Sequence, residues 1–435
     1  MLSHTQADQN RALPEPTRRV MRVCVIGAGV VGVTTAHLLS RAGHEVTLVD
    51  ERAEPALGSS FANGGQLSYS YVAPLAGPGA LADMPGWLFR RDSPLRLRYR
   101  FDPSQWFWLA GFLRACRASV SRASTAELLS LSYLSRDTLH ALLADEPMDF
   151  GLSRTGKLIV YRDAAQLEKA AALVRYQAEH GTDQRVLSRD ETLAAEPALA
   201  GMGARIAGAV YTPSEETADC HRFTAALFQR LHSAGNVSVH MNTRVQGLRR
   251  ERGQIVAAQT QAGDVQADAF VVASGIGSRP LLAALGQRVP LYPLKGYSLS
   301  VPITADTADI PAISVTDYER RIVYARLGNV LRIAAMVDIG AKHADVDASR
   351  LATLRRQVGE AFPRLDLTRA LAWAGVRPAT PTSKPLIGKS RAASNLWLNI
   401  GQGALGFTLA CGSAALLTAQ MSGGALPIDA APFQP

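Results

Sequence analysis

The sequence has few cysteines and no recognisable cluster of metal ligands. Only four cysteines occur in 435 residues, and they lie far apart without a CxxC pair. The nine histidines are scattered without an HxxxH or HxH spacing. A disulfide framework and a cysteine- or histidine-based metal site are therefore not indicated, and we predict no bound metal.

The chain also lacks the composition of a disordered or fibrous protein. Hydrophobic residues make up 47% and charged residues 19%, which is typical of a globular protein. A length of 435 residues exceeds one ordinary core and predicts two or more domains. The opening residues are polar, include two prolines and lack the apolar core of a secretory signal, so we expect a disordered arm over residues 1–20.

Charge is absent from one long stretch near the end, between Ala392 and Ile428. A membrane-spanning helix needs about 20 predominantly apolar residues. This stretch is interrupted by Asn395, Asn399 and Gln402 and by several glycines. We interpret it as a buried strand, a loop and a helix.

Strand and helix patterns alternate along most of the chain. Residues 22–26 form a short apolar run, residues 30–41 have helical spacing, and residues 45–49 form a second strand-like run. These three segments predict a βαβ unit of about 30 residues. The alternation as a whole favours an α/β fold with a discontinuous nucleotide-binding domain.

A GxGxxG motif, Gly27 to Gly32, lies between the first strand and the first helix. The first glycine permits the tight turn, the second lets a pyrophosphate approach the backbone, and the third lets helix and strand pack closely. The helix N-terminus then faces the phosphates with free N–H groups. Asp50 ends the next strand, where a carboxylate binds ribose hydroxyls. The pattern fits NAD and FAD alike.

Two further glycine-rich segments distinguish these cofactors. Residues 59–68 read SSFANGGQLS, and residues 401–408 read GQGALGFT before an apolar helix. Small residues let the chain lie against a flat ring system, and a helix N-terminus stabilises negative charge on a reduced flavin. Taken singly, each segment is equally compatible with an ordinary loop.

Together with YPLKGYS (292–298), GVRP (375–378) and NLWLNIGQGALGFTLACGS (395–413), these motifs resemble the small subunit of bacterial D-amino-acid dehydrogenase. That family belongs to the D-amino-acid oxidase, glycine oxidase and sarcosine oxidase group of FAD enzymes. The resemblance runs from Met21 to Gly423. It implies a Rossmann-like FAD-binding domain and a second, mixed-sheet α+β substrate domain. The implied boundaries are 21–85, 213–280 and 372–424 for the FAD-binding domain, 86–212 and 281–371 for the substrate domain, and 425–435 for a tail.

The resemblance also implies the residues that hold FAD. Asp50 would contact the adenosine ribose, and the segments near residues 64–67 and 403–408 would flank the isoalloxazine ring. No cysteine or histidine is placed for a covalent link, so we expect non-covalent FAD. The expected contacts are Gly27, Ala28, Gly29, Val30, Val31, Gly32, Asp50, Glu51, Arg52, Ser60, Asn63, Gly64, Gly65, Gln66, Leu67, Val245, Ser274, Gly275, Gly401, Gly403, Leu405, Gly406, Phe407 and Thr408.

Three residues are candidates for the substrate side of the site. Arg377 matches the GxRP arginine that clamps the substrate carboxylate in the oxidase relatives, and a planar guanidinium suits bidentate recognition. Without that match, a surface arginine is the alternative, since the chain has 46 lysines and arginines. Lys295 and Tyr297 could bond the substrate or relay a proton. The alternative is a structural turn with Lys295 in solvent.

The implied reaction is oxidative deamination of D-amino acids to 2-oxo acids and ammonia. Hydride would pass from Cα to flavin N5, and electrons to a quinone-type acceptor. The sequence departs from the family at Gln402, where histidine is common, at Ala334–Ala335 and at Thr382–Ser383. A D-hydroxyproline or D-imino acid dehydrogenase, and a sarcosine- or glycine-type oxidase using oxygen, therefore remain alternatives. An NAD-linked dehydrogenase and a flavin-binding scaffold without turnover are more distant ones.

Residues 87–122 are basic and aromatic. They carry three of the five tryptophans and eight arginines against two aspartates, a local charge of +6. This composition fits an interfacial membrane anchor that brings the flavin close to membrane quinone. It equally fits an amphipathic helix pair with solvated arginines. We therefore expect a cytoplasmic protein, with peripheral attachment to the inner face of the cell membrane as the alternative, and no nucleic-acid partner because no such fold motif occurs.

Overall fold

The computed structural model describes residues 20–80, 84, 93–178, 182–304, 307 and 309–435. The predicted arm over 1–20 lies outside these residues except for Val20. Within them, the strands are β1 (Arg22–Ile26), β2 (Glu45–Val49), β3 (Gln66–Leu67), β4 (Leu95–Leu97), β5 (Lys157–Tyr161), β6 (Arg185–Ser188), β7 (Gly208–Thr212), β8 (Glu216–Thr217), β9 (Val237–His240), β10 (Val245–Glu251), β11 (Gln254–Thr260), β12 (Gly263–Val265), β13 (Ala269–Val272), β14 (Tyr292–Pro302), β15 (Ser314–Asp317), β16 (Ile322–Leu327), β17 (Val330–Ile339), β18 (Leu371–Ala379), β19 (Leu386–Lys389) and β20 (Leu396–Ile400).

The α-helices connect and cover these strands. Their bounds are α1 (Val30–Arg41), α2 (Pro103–Ala115), α3 (Ala118–Asp145), α4 (Ala164–Ala178), α5 (Arg189–Ala195), α6 (Cys220–His232), α7 (Ser278–Ala284), α8 (Ala348–Ala361) and α9 (Gly406–Ser422). Short 3₁₀ segments occupy Pro197–Arg205, Gly275–Gly277, Gly403–Leu405 and Ala431–Phe433.

The first sheet has six strands in the order β19-β20-β13-β1-β2-β9. All its pairs are parallel except β19 with β20. Its strands are almost continuously apolar because both faces are covered. One face packs against α1, α3, α6 and α9, and the other against the antiparallel sheet β10-β11-β12 and α7. This arrangement is the predicted Rossmann-like domain, and its strand C-termini form one edge of the site.

The second sheet has nine strands and is mixed. Its main path is β18-β14-β17-β16-β15-β5-β7-β6, and β4 pairs in parallel with β17. One face packs with α8 in a separate apolar core. A smaller core joins α2 to β4 and to the start of β14. The predicted mixed-sheet substrate domain is therefore present.

Two predicted boundaries need correction. The boundary between 371 and 372 would give β18 to the FAD-binding domain, yet β18 pairs along its whole length with β14 of the large sheet. The boundary belongs after Ala379, where that pairing ends. The long helix α3 falls within the predicted substrate segment 86–212, but its buried leucines pack in the core of the six-stranded sheet.

The charge-free stretch folds as β20, a turn and α9. The segment Gly403–Ser422 has the length and composition to cross a membrane, but 61% of its apolar 18-residue stretch is buried inside the protein. A Cβ on Gly412 would lie 2.6 Å from the backbone oxygen of Leu131, so α9 and α3 touch backbone to backbone. The last residues also join this core through Phe433, which is 1% exposed. We therefore interpret α9 as a core helix, as the interrupted pattern predicts.

Candidate active site

The GxGxxG turn has the close packing expected of a dinucleotide cradle. Gly27 has a φ of 112°, and a Cβ there would lie 2.7 Å from the backbone oxygen of Ala273. A Cβ on Gly32 would overlap the carbonyl of Gly27, with only 2.9 Å to its carbon. A Cβ on Gly29 would have one close neighbour, Ser60 Oγ, at an ordinary contact distance of 3.5 Å. The first and third glycines are thus required by the fold, and the second leaves room for a ligand.

Asp50 lies at the end of β2, against this turn. Its Oδ2 accepts a hydrogen bond from the Ala28 N–H at 2.6 Å, and its Oδ1 accepts one from the Arg52 N–H at 2.8 Å. Burial raises the pKa of Asp50, although both backbone N–H groups oppose that shift. The carboxylate therefore lies at the mouth of the cradle, where the sequence places a ribose contact.

The glycine-rich loop 59–65, called the strap below, is anchored to α1 and to the large sheet. Its residues are hydrogen-bonded to α1 of the FAD-binding domain and to three strands of the large sheet, so the loop links the two domains. The bonds are Val30 N–H to Ser60 Oγ (3.1 Å), Ser59 Oγ to the Val376 oxygen, Ser298 Oγ to the Ala62 oxygen (2.7 Å), Arg332 Nη1 to the Asn63 oxygen (2.8 Å) and Ala218 N–H to the Gly65 oxygen (2.9 Å).

The second glycine-rich segment contacts the residues that directly follow the strap, through Thr408. Thr408 Oγ1 donates to the Gln66 oxygen at 3.2 Å and accepts from the Ser68 N–H at 3.2 Å. Gln402, which replaces the histidine common in the family, is buried and donates from Nε2 to Asn399 Oδ1 at 2.6 Å. The structure thus brings the two predicted ring-binding segments side by side.

Arg377 lies on β18, facing a gap that Gly296 provides. Gly296 is on β14, and a Cβ there would lie 2.7 Å from the guanidinium carbon of Arg377. Nearby, β17 has a bulge opposite β14 that leaves Met336 with a φ of 64°. Among the described residues, none forms a hydrogen bond or an ion pair with the Arg377 guanidinium. Desolvation of the guanidinium lowers the pKa of Arg377 from its ordinary value.

Lys295 and Tyr297 lie on the opposite face of β14 from Gly296, because side chains alternate along a strand. Lys295 Nζ donates to the backbone oxygen of Asp345 at 2.9 Å. The Tyr297 hydroxyl donates to the buried Asp338 at 2.8 Å and packs in the core under α8. Tyr297 nevertheless lines the same cavity as Arg377, whereas Lys295 does not.

One large cavity of about 2190 Å³ joins the cradle, the strap and Arg377. Ordinary ligand pockets measure about 300–1,000 Å³, so this space suits a dinucleotide together with a substrate. Of the predicted FAD contacts, Glu51, Arg52, Val245, Ser274 and Gly275 line it along with most of the others. Gly32, Leu67 and Gly401 do not line it, and neither does Lys295. The residues present therefore fit FAD.

Sequence reasoning missed several residues that the fold brings to this cavity. Lys157 and Tyr71 line it from β5 and from the segment after β3, and Ser298 and Arg332 fix the strap. No motif contains Lys157 or Tyr71, because their proximity arises from pairing between distant segments. Ser298 lies in the YPLKGYS motif, yet its contact with the strap is not visible in the sequence.

The comparisons with known proteins agree with this geometry. The family model described as "FAD dependent oxidoreductase" (DAO) matches residues 22–420. The chain therefore belongs to the DAO family of FAD-dependent oxidoreductases, as the motifs indicate, and FAD is its cofactor.

The chain is 48% identical over 422 residues to D-amino acid dehydrogenase 2 of Ralstonia nicotianae, covering 95% of this chain and 99% of that protein. It is 49% identical over 403 residues to D-amino acid dehydrogenase 2 of Pseudomonas aeruginosa, covering 92% and 94%. Among solved structures, glycine oxidase from Geobacillus kaustophilus superposes with a TM-score of 0.74 at 21% identity, covering 95% and 98%. That last likeness concerns the fold.

Proposed function

We propose that this protein deaminates D-amino acids oxidatively to 2-oxo acids and ammonia, using non-covalent FAD, and passes the electrons to a quinone-type acceptor. The observation that carries the proposal is Arg377, a cavity-lining guanidinium without a partner among the described residues. It suits an α-carboxylate, which needs two parallel N–H donors. The names of the two relatives at 48% and 49% identity support a D-amino acid as the substrate.

The chain's own residues would act by binding and orientation. Arg377 would fix the carboxylate in the gap above Gly296, which sets the position of the substrate's Cα in the cavity. Bound FAD supplies the hydride acceptor. The strap 59–65 and Thr408 belong to the two segments that would flank the flavin ring. Both are hydrogen-bonded to other parts of the fold, which would fix the position of the ring. No side-chain base is required, since a neutral substrate amine supplies its own lone pair.

Anaerobic mixing with amino acids tests the reaction. We expect the visible flavin spectrum of the purified protein to bleach with D-alanine and other D-amino acids and to persist with their L-enantiomers. Bleaching only by glycine or sarcosine, with peroxide formed in air, would favour the amine-oxidase alternative. Bleaching only by D-proline or hydroxy-D-proline would favour the D-imino acid alternative. A spectrum that none of these changes would contradict the proposed reaction.

An exposed aromatic and basic patch supports a membrane contact for this function. It comprises Tyr99, Phe101, Trp106, Phe107 and Leu113, all exposed, with Arg100, Arg114, Arg117 and Arg122 also exposed beside them. Phe107 is 72% exposed and Trp106 52% exposed, and Tyr99 stacks on Trp106 at 6.1 Å between ring centroids. Exposed aromatic rings beside arginines suit an anionic lipid surface. Trp87, Arg90 and Arg91 of the predicted segment lie outside the described residues.

Flotation with lipid vesicles tests this contact. We expect the protein to float with vesicles containing phosphatidylglycerol and to stay in solution with neutral vesicles or at high salt. The double variant Trp106→Ser/Phe107→Ser should lose flotation but keep its flavin spectrum. Leu371→Ser, at an exposed apolar residue on β18 outside the patch, is the matched control and should float normally. Equal flotation of both variants would contradict the membrane contact.

A further inference from the structure

Two glycines face each other across β14 and β18, beside Arg377. Gly296 and Gly375 are register partners, and both line the large cavity. Because neither has a side chain, they leave a bare area on the cavity face of the sheet. Arg377 lies two residues beyond Gly375 and therefore on the same face. Its guanidinium lies over Gly296 and covers one half of this area.

The indole of Trp373 covers the other half. Trp373 precedes Gly375 by two residues on β18 and so shares its face. A Cβ on Gly375 would overlap Cη2 of the indole and would lie 2.5 Å from Cζ2, so a glycine is needed for the ring to lie this close to the sheet. The Cβ positions of facing residues in antiparallel strands are about 4.5–5.5 Å apart. The indole and the guanidinium of Arg377 are therefore neighbours.

The indole is also open to the cavity. Trp373 is half-buried and lines the same cavity as Arg377. Its register partner on β14 is Ser298, whose hydroxyl donates to the Ala62 oxygen of the strap at 2.7 Å. The indole thus lies near the strap, which belongs to the segments that would flank the flavin ring. A molecule whose carboxylate is held by Arg377 therefore has the indole within reach.

The neighbours of the glycine pair are apolar on the other side as well. Beyond β14 lies the bulge of β17, where Met336 and Val337 line the cavity. The carboxylates of the described cavity-lining residues lie elsewhere, at the cradle and after β5 and β15. They are Asp50, Glu51, Asp163 and Glu319. The surface next to the Arg377 guanidinium therefore suits the apolar part of a ligand.

We propose that the indole of Trp373 is a platform on which the side chain of the substrate packs while Arg377 holds its α-carboxylate. Trp373 would then be a specificity-determining residue that favours D-amino acids with longer aliphatic side chains over D-alanine. This inference rests on the proposed function for the identity of the substrate. Its physical basis is that each methylene moved from water onto apolar surface contributes favourable free energy.

The experiment uses an unbranched, uncharged series of substrates: D-alanine, D-2-aminobutyrate, D-norvaline and D-norleucine. Anaerobic flavin bleaching gives kcat/KM for each substrate with the holoenzyme. We expect kcat/KM to rise by about twofold to fourfold with each added methylene in the wild type. The series changes the length of the side chain without changing its charge, so the rise reports apolar packing alone.

Three variants locate this rise at the indole. Trp373→Ala removes the platform and should remove most of the rise along the series. Trp373→Phe keeps an aromatic ring at the same position and should retain part of it. Trp397→Ala is the matched control, because Trp397 is also half-buried but lies on β20 and does not line the cavity. It should show the wild-type rise. The FAD content of each variant is measured from its visible absorbance.

Three results would overturn the inference. The first is a wild-type enzyme whose kcat/KM does not rise with side-chain length, which needs no variant to observe. The second is an equal loss for all four substrates in Trp373→Ala, which would make Trp373 a support for Arg377 or for FAD. The third is an equal flattening of the series in Trp373→Ala and Trp397→Ala, which would indicate a general effect of losing a tryptophan.

Failure of the proposed function would look different, because none of the four amino acids would bleach the flavin. In that case propanoate, butanoate, pentanoate and hexanoate still test the platform as non-reacting probes, with binding to the holoenzyme measured by isothermal titration calorimetry. Binding that tightens with each methylene in the wild type, and no longer does so in Trp373→Ala, would support the platform alone. Binding that does not depend on chain length in the wild type would overturn it.

Discussion

Replacing Arg377 with methionine should lower kcat/KM for D-alanine by about 10²- to 10⁴-fold. Breaking a buried charge pair costs about 3–5 kcal/mol, and each 1.4 kcal/mol is tenfold. The flavin should stay bound, because Arg377 forms no hydrogen bond with any other described residue and does not hold the cradle. Anaerobic stopped-flow bleaching measures the rate, and the ratio of visible to ultraviolet absorbance measures the FAD content.

Gly296→Ala separates the position of Arg377 from its charge. The added methyl would displace the guanidinium, whose central carbon lies 2.7 Å from the site of that Cβ. The flexible end of an arginine side chain can move, so the fold and the FAD content should survive while KM rises. If Arg377→Met kept wild-type turnover of D-amino acids, Arg377 would not be the carboxylate clamp.

Replacing Gly32 with alanine should abolish FAD binding and destabilise the protein. The new Cβ would overlap the carbonyl of Gly27. That carbonyl is part of the backbone turn between β1 and α1, which cannot move aside easily. Overpacking of this kind typically costs about 1–3 kcal/mol, and more when backbone cannot move aside. Expected results are a colourless protein after purification and a lower midpoint of thermal unfolding.

Gly359→Ala is the matched control for that change. Gly359 lies within α8, and a Cβ there would meet no atom within 4 Å. Alanine should raise the free energy of unfolding by up to about 1 kcal/mol, because glycine is the poorer helix former. A yellow, normally stable Gly32→Ala protein would mean that helix and turn can separate without harming the cradle.

The local features of this fold were predictable from the sequence. The bounds of β1, α1 and β2 agree with the predicted strand, helix and strand, since apolar runs and the GxGxxG turn are short-range signals. The cradle follows from the same signals. Arg377 was identified by resemblance, and the reason that it fits, a glycine on the neighbouring strand, depends on the pairing of β14 with β18.

The features that were not predictable depend on long-range pairing. Lys295 and Tyr297 share a motif with Gly296, but strand alternation turns their side chains away from Arg377. The predicted boundary at 371/372 missed that β18 completes the large sheet, because its partner β14 ends about 70 residues earlier. Lys157 stands in no motif at all, and only the nine-stranded sheet brings it to the cavity.

The strap 59–65 restricts how a substrate can enter. It is bonded to α1 through Ser60 and to β14, β17 and β18 through Ala62, Asn63 and Ser59. The two domains joined in this way cannot move apart on a hinge without breaking these hydrogen bonds, two of which are buried. Substrate entry would therefore depend on movement of surface segments at the openings of the cavity and not on opening of the two domains around the flavin site.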